Sequence, residues 1–385
     1  MLRPDYSGGG FLNLIASIAE GCGARPRHRS LAALAPAELA EATNVVLVII
    51  DGLGDRYLQS RGPAGELARR RRGAISAVFP STTAAAITTS YTGFAPLEHG
   101  LTGWFTYFGE AGCVVAPLPG RTRGDNEPLA ARGVAPARLF LAPSLLDALA
   151  ARSIVVSYSA IVNSDYNLHH CGRAERRAYD ERAGFVAQVE AAVKSGTDRK
   201  FVYAYWPQFD TLAHRHGVAS AETLAEFAAL DAAFGELLAR LAGSDAIVVA
   251  TADHGFLDSG PAKSLAFEDG PGLPALLRFP LCGERRAAFC HVQEGRVPEF
   301  TARARDWLAG KAEVRLSREL AEEGWFGPGV AHPRLAERIG DVALLMKERY
   351  TIKDRIPGET QHLHIGNHGG ASEDEMLIPL IVAKV

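Results

Sequence analysis

Five short apolar runs constrain this chain more than any other feature. They are Val45–Ile50, Ile154–Tyr158, Phe201–Trp206, Ala246–Thr251 and Leu377–Val382, each five or six residues long. Continuous apolar runs of this length suit strands buried on both faces of a mostly parallel sheet. Between them, Arg177–Lys194 and Ala221–Leu241 carry apolar residues at three- and four-residue spacing, the pattern of an amphipathic helix. Pro143–Ala151 opens on a proline suited to a first helical turn and is expected as a further helix. This alternation predicts an α/β, doubly wound, mostly parallel sheet. The stretch Gly270–Gly358 departs from the pattern, with proline and glycine breaks, short apolar pieces and basic clusters. It is expected as a small inserted α+β cap over residues 269–361, with residues 1–268 and 362–385 forming the core.

The composition sets outer limits. The 385 residues are 47% hydrophobic, enough for a large core, so intrinsic disorder is excluded. Lys plus Arg is 41 against 44 for Asp plus Glu, so no basic excess points to nucleic acid. No apolar run approaches the ~20 residues a bilayer span needs. The start, Met1 to Gly10, does not read as a secretory signal, and the expected location is cytoplasmic. Five scattered cysteines (Cys22, Cys113, Cys171, Cys282, Cys290) form no CxxC and do not read as a disulfide framework. The run Arg69–Arg72 is expected as a solvated helix end or loop, with phosphate steering as the alternative.

In an open parallel sheet, ligands gather outside the carboxyl ends of the strands. Val45–Ile50 is followed by Asp51-Gly52, and Phe201–Trp206 by Asp210 and His214. Ala246–Thr251 is followed by Asp253-His254-Gly255, and His368-Gly369 precedes the last run. Singly, these signals have plainer readings: Asp51-Gly52 as a turn, Asp210 as a helix cap. If Asp210 opens a helix, the spacing of four puts His214 on the same face, as a shared ion requires. Three Asp with three His suit two zinc-like ions better than calcium or magnesium, because imidazole prefers transition metals. Manganese is also compatible with so oxygen-rich a set. For a nucleophile, the run Phe79-Pro80-Ser81-Thr82-Thr83-Ala84-Ala85-Ala86 places hydroxyls before small helix formers. That arrangement reads either as a plain N-cap or as a hydroxyl at a phosphate-binding helix N-terminus.

The order Asp51, Pro80-Ser81-Thr82-Thr83, Asp210-x-x-x-His214, Asp253-His254-Gly255 and His368-Gly369 resembles the alkaline phosphatase superfamily. It is most similar to the type I phosphodiesterase/nucleotide pyrophosphatase branch, which Thr92-Gly93, Pro96 and His99-Gly100 also match. The resemblance covers Val45 to Val385 and implies an alkaline-phosphatase-like core with a small substrate-selecting cap. By the resemblance, Thr83 is the nucleophile that becomes phospho-threonine. Asp51, Asp253, His254 and the Thr83 hydroxyl would hold one zinc, and Asp210, His214 and His368 the other. Two metals about 4 Å apart can clamp the attacking and leaving oxygens of an in-line displacement. The reaction implied is hydrolysis of a small-molecule phosphodiester, nucleotide or pyrophosphate. The alternatives are a phosphomonoesterase or phosphonate hydrolase of the same superfamily. Thr83 followed by three alanines, with no arginine close behind, favours the diester.

One departure concerns the substrate. Where the branch has an asparagine that touches a phosphate oxygen, this chain has Trp104, an indole donor or an aromatic wall. Tyr107, nearby, and Asp165 with Tyr166, after another strand, are further candidates for the substrate mouth. His362 and His364 precede His368 and are candidates for outer-shell or competing ligand roles.

Overall fold

The computed structural model describes residues 1–359 and 363–385. At its centre is a sheet of seven strands: β1 (Asn44–Ile50), β2 (Arg71–Ser76), β3 (Arg152–Tyr158), β4 (Glu175–Tyr179), β5 (Lys200–Trp206), β6 (Ala246–Thr251) and β7 (Leu377–Lys384). Their spatial order is β2-β7-β6-β1-β5-β3-β4. β1 pairs in parallel with β5 and β6, and β3 with β4 and β5, while β7 runs antiparallel to both β6 and β2. Every residue of β1, β5 and β6 is buried. The chain therefore covers both faces of the sheet, as the all-apolar runs require. Helices α1 (Phe11–Gly21) and α2 (Thr83–Thr92) pack on each other, as do α3 (Arg182–Val193) and α4 (Ala221–Arg240). Among the described residues, no helix is long and apolar enough to cross a membrane.

Three local expectations need correction. Pro143–Ala151 is not a helix: it holds a single local turn (Ala148 N to Leu145 O, 2.9 Å), while Leu145 N bonds to Tyr91 O (2.7 Å) and Ala150 N to Cys22 O (3.1 Å). Arg177–Lys194 is divided, because Arg177 to Tyr179 end the edge strand β4 and the helix starts only at Arg182. Arg69–Arg72 is a solvated helix end, as expected, only in its first half: Arg69 closes the helix Glu66–Arg69 with Arg70 as its C-cap, whereas Arg71 and Arg72 open the edge strand β2. Arg71 is bound by Asp55 and Arg72 by Glu38, at the end of the sheet opposite the carboxyl edge. Both missed strands lie at sheet edges, where solvent on one side removes the need for an apolar run.

Between β6 and β7 the chain builds a second, antiparallel sheet. Its strands lie in the order Cys282–Gly283, Ala287–Cys290, Val342–Met346 and Ala312–Leu316. Side chains alternate faces along a strand, and here both faces are apolar. Ala288, Cys290, Val342, Leu344 and Met346 join Phe300 and Ala304 of the helix Val297–Trp307, and Leu308 at its C-cap, in a separate small core. Ala287, Phe289, Ala343 and Leu345 point the other way, into the main core. The lobe is thus bonded to the body along a whole sheet face.

A buried ion pair fastens the same junction. Arg286, 1% exposed, meets Glu375 through Nε–Oε1 (3.1 Å) and Nη2–Oε2 (2.9 Å). Glu375 also accepts from Gly370 N (2.8 Å) and Ser372 Oγ (2.7 Å). Burial alone would raise the Glu375 pKa, but Arg286 and these donors hold it below the usual range. Removing one member leaves the other charged and unpaired in the interior, which costs about 3–5 kcal/mol. Arg286→Met is expected to lower the unfolding free energy by that amount in urea titrations. Adding Glu375→Gln to Arg286→Met is expected to recover part of the loss, since no lone buried charge remains.

Candidate active site

Because β7 is the one strand running against the other six, its start lies at the carboxyl edge of its neighbours. Asp51 leaves the end of β1 and Asp253-His254 the end of β6. Asp210 and His214 lie on the helix Gln208–His216, which comes directly after β5. His368 arrives just ahead of β7. Sheet topology thus collects six ligand-type residues from four separate segments at one edge. The Asp51-Gly52 pair is a turn that also brings Asp51 into the cluster. Gly52 has φ 78°, a conformation L side chains rarely adopt, and its N–H donates to Asp253 Oδ1 (3.0 Å).

The polar atoms converge without satisfying one another. Asp51 Oδ2 accepts from the Tyr205 hydroxyl, and Asp253 Oδ1 accepts from Gly52 N and His254 N. Asp51 Oδ1, Asp253 Oδ2 and Asp210 Oδ1 are buried and have no hydrogen-bond partner. Facing them are imidazole Nε2 atoms. His254 Nε2 lies 3.3 Å from Asp51 Oδ1 and 3.5 Å from Asp253 Oδ2. His214 Nε2 lies 3.4 Å from Asp210 Oδ1 and 3.2 Å from His368 Nε2. In each histidine the other ring nitrogen meets a backbone carbonyl: His214 Nδ1 at Gly366 O (2.9 Å), His254 Nδ1 at Gly255 O (3.1 Å), His368 Nδ1 at Ser81 O (3.0 Å). Donation from Nδ1–H leaves the Nε2 lone pair aimed at the cluster, the orientation a metal ligand needs.

Electrostatics agree. Burial pushes Asp51 up to about 6, and burial with the neighbouring Asp51 charge pushes Asp253 up to about 7. Asp210 is raised well above the carboxylate range by burial, then by Asp51 and Asp253. On the imidazole side, burial pushes His214 down to about 4 and His368 well below its ordinary value. Acids that resist ionisation beside imidazoles that resist protonation form a site short of positive charge. Atoms of Asp51, Asp253 and His254 lie within 4.8 Å of one another, as do those of Asp210, His254 and His368. Mixed carboxylate and imidazole donors, three orphaned oxygens and preset tautomers fit divalent metal ions.

Thr83 is the first residue of α2, with Thr82 as its extended N-cap. Thr83 Oγ1 lies 3.2 Å from His254 Nε2 and keeps 9% of its surface exposed. The two hydroxyls before it are committed elsewhere. Ser81 Oγ donates to Gly370 O (2.7 Å), and Thr82 Oγ1 donates to Glu284 Oε1. Of the three, only Thr83 faces the cluster.

The cluster opens into a cleft of about 570 Å³ whose lining includes Thr83, Trp104, Asp210, His214 and His368. Trp104 is 41% exposed at its margin. Three other expected mouth residues lie elsewhere. Tyr107 stacks on Phe279 (4.1 Å between centroids), and Tyr166 is buried with its hydroxyl 2.7 Å from Thr88 Oγ1. Asp165 sits on the exposed first turn of the helix Asp165–His170. Asp165 and Tyr166 come after β3, the strand next to the sheet's far edge, so the strand order puts them away from the cleft. His364 does reach the cleft, with its ring 4.4 Å from that of His214. His362 lies outside the described residues.

Sequence reasoning passed over the turn Glu284-Arg285-Arg286. Glu284 N donates to Ala287 O (2.9 Å), closing a tight hairpin between Cys282–Gly283 and Ala287–Cys290. Gly283 approaches the Gly103 backbone so closely that a Cβ on Gly103 would lie 2.4 Å from Gly283 Cα. This contact brings the hairpin tip over the start of α2. Glu284 Oε1 accepts from Trp104 N (2.7 Å) as well as from Thr82, and burial pushes Glu284 up to about 7. The available signal was a charged triplet behind a glycine, framed by Leu281-Cys282 and Ala287-Ala288-Phe289.

Comparison with known proteins agrees with this geometry. Residues 45–371 match the family described as type I phosphodiesterase / nucleotide pyrophosphatase. No curated protein matches the chain in sequence. Among solved structures, human ectonucleotide pyrophosphatase / phosphodiesterase 5 is similar at TM-score 0.64 and 16% identity, covering 88% of this chain and 87% of that one. The murine counterpart, in an inactive form in complex with AMP, gives TM-score 0.62 and 16% identity, with 87% of each chain covered. Phosphonoacetate hydrolase from Sinorhizobium meliloti 1021, in complex with phosphonoacetate, gives 0.62 and 18%, covering 88% of this chain and 89% of that one. At these identities the structural likeness speaks for the fold, and the match over residues 45–371 identifies the chain as a member of the type I phosphodiesterase / nucleotide pyrophosphatase family of hydrolases.

Proposed function

We propose that the protein hydrolyses phosphodiester or pyrophosphate bonds of small molecules through a phospho-threonine at Thr83, with two divalent ions as cofactors. The observation that carries this reading is the Thr83 hydroxyl at a helix start, facing three buried carboxylate oxygens that lack partners. Asp51, Asp253, His254 and Thr83 would hold one ion and Asp210, His214 and His368 the other, zinc by donor type with manganese compatible. Bound there, such ions supply positive charge to the attacking and leaving oxygens of a displacement at phosphorus.

The chain's own groups do the rest. The first-turn N–H groups and dipole of α2 favour the phosphoryl group beside Thr83. Thr83 Oγ1 gives up its proton to solvent and forms a bond to phosphorus as the ester oxygen departs with its electron pair, to be protonated by water. Water then breaks the phospho-threonine bond and restores the hydroxyl. The carbonyls of Gly366, Gly255 and Ser81 keep each histidine in one tautomer throughout. Trp104 provides an aromatic wall where the substrate's organic part would lie.

Thr83→Ala is expected to lower kcat/KM on the p-nitrophenyl ester of thymidine 5′-monophosphate about 10³-fold, which is about 4 kcal/mol of transition-state stabilisation. Thr83→Ser is expected to retain measurable turnover. Full activity in Thr83→Ala would remove Thr83 from the mechanism. Asp253→Asn is expected to cost one bound metal per chain by atomic emission, and unchanged metal content would remove Asp253 from the ligand set. A second reading, phosphonate hydrolase or phosphomonoesterase, is favoured by basic residues in the outer cleft, Arg285 and Lys353. The ratio of aryl diester to aryl monoester turnover separates the two, and the diester is expected to lead.

A further inference from the structure

Thr82 stands in the N-cap position of α2 and does not cap it. Its backbone is extended (φ −138°, ψ 147°), the conformation from which a threonine hydroxyl ordinarily accepts from a first-turn N–H. No such bond forms. Thr82 Oγ1 donates instead to Glu284 Oε1, at the tip of the hairpin of the inserted lobe. That carboxylate is itself held in place. The same oxygen accepts from Trp104 N (2.7 Å), and Glu284 N donates to Ala287 O (2.9 Å).

The consequence lies in the first turn of α2. Thr82 N donates to Pro80 O (2.9 Å), and Ala86 N donates to Thr82 O (3.0 Å). Between them, the N–H groups of Thr83, Ala84 and Ala85 meet no acceptor among the described residues. Ser81 Oγ is no substitute, since it donates to Gly370 O (2.7 Å). All three residues are buried. Buried backbone donors are nearly always paired, so three successive orphans mark a place where an acceptor from outside the chain fits. The same helix end meets the carboxylate cluster through Thr83 and His254, and there Asp51 Oδ1 and Asp253 Oδ2 are buried without partners.

We propose that Glu284 is a positioning residue for phosphoryl transfer. By drawing the Thr82 hydroxyl off its own helix, it leaves the first-turn N–H groups of α2 to the phosphoryl oxygens of the substrate. The inference deepens the reading of Thr83 as the group that attacks phosphorus, and rests on it. Glu284 acts through Thr82 alone. Without the carboxylate, the hydroxyl turns to accept from the N–H of Ala84 or Ala85, and a phosphoryl group must then displace a capping bond worth about a factor of ten. The inserted lobe thus reaches the chemistry through one hydrogen bond to the residue before the nucleophile.

The test uses the full-length, metal-loaded protein as wild type, Glu284→Leu, Thr82→Val, the double variant and Thr82→Asn. The readouts, at equal metal content, are kcat/KM on the p-nitrophenyl ester of thymidine 5′-monophosphate and calorimetric binding of inorganic phosphate. Glu284→Leu is expected to lose about tenfold in both. Thr82→Val keeps the shape of threonine without a hydroxyl that could cap, and is expected to stay within about threefold of wild type. Adding Thr82→Val to Glu284→Leu is expected to bring activity and phosphate binding back to the Thr82→Val level. Independent structural losses would multiply instead. Thr82→Asn places a strong capping group at the same position, with an amide N–H still free to donate to Glu284. It is expected to lose about tenfold in both readouts with Glu284 untouched, and it decides the matter if Glu284→Leu does not fold. A double variant no better than Glu284→Leu, or wild-type phosphate binding in Thr82→Asn, overturns the proposal. If phosphate binding follows the expected pattern while the wild type cleaves no ester, the positioning role stands and the hydrolytic reading of Thr83 falls.

Discussion

The burial of Asp51, Asp253 and Asp210 beside one another is the constraint on which the rest of the molecule turns. Asp51 and Asp253 are buried and Asp210 is half-buried at one sheet edge, and each keeps a buried oxygen with no hydrogen-bond partner. Their ion-pair neighbours are histidines, and burial opposes protonation of His214 among them. Left to itself such a cluster is expensive, because buried charge without compensation destabilises the fold. It persists because the residues before it, in β1, β5 and β6, are wholly buried and cannot shift to let the acids into water. Bound divalent cations, as proposed, would turn the same cluster from a liability into a binding site, and metal affinity would then be part of folding stability.

The second dependency runs through Glu375. Its carboxylate joins Arg286 of the cap to Gly370, two residues after His368. Its carbonyl accepts from Gly255 N (2.8 Å), one residue after His254. Two loops that carry ligand-type histidines and the hairpin that overhangs Thr83 are therefore fastened at one residue. The inserted lobe is a structural part of the site: one face of its sheet packs in the main core, and its turn meets the start of α2.

Much of this was legible in the sequence. The buried strands appear as unbroken apolar runs, and chain order alone sets which polar residues stand behind each run. The four-residue spacing of Asp210 and His214 became one face of the helix Gln208–His216, as helical geometry dictates. Edge strands β2 and β4 were hidden because half-exposed strands accept Arg and Glu and lose the apolar signature. Pro143–Ala151 carried a helix-opening proline, yet its backbone partners lie far off in sequence, at Tyr91 and Cys22. Tyr107, Asp165 and Tyr166 were placed at the mouth by nearness in sequence to Trp104 or to a strand end. Packing against Phe279 and the order of the strands, which no local pattern encodes, send them elsewhere. The Glu284-Arg285-Arg286 turn was hidden for the same reason: its meaning comes from the Gly103–Gly283 approach between segments 180 positions apart.

On the proposed function, the acid-imidazole cluster and Thr83 form a metal-dependent centre for diester hydrolysis. The most direct measurement is hydrolysis of the thymidine 5′-monophosphate p-nitrophenyl ester by one preparation of the wild-type protein, before chelation, after chelation, and during titration with zinc. Chelation is expected to abolish turnover, and activity is expected to return in step with bound zinc until the sites are filled. Turnover that survives complete removal of metal, or its absence from fully loaded and folded protein, would contradict the proposed function.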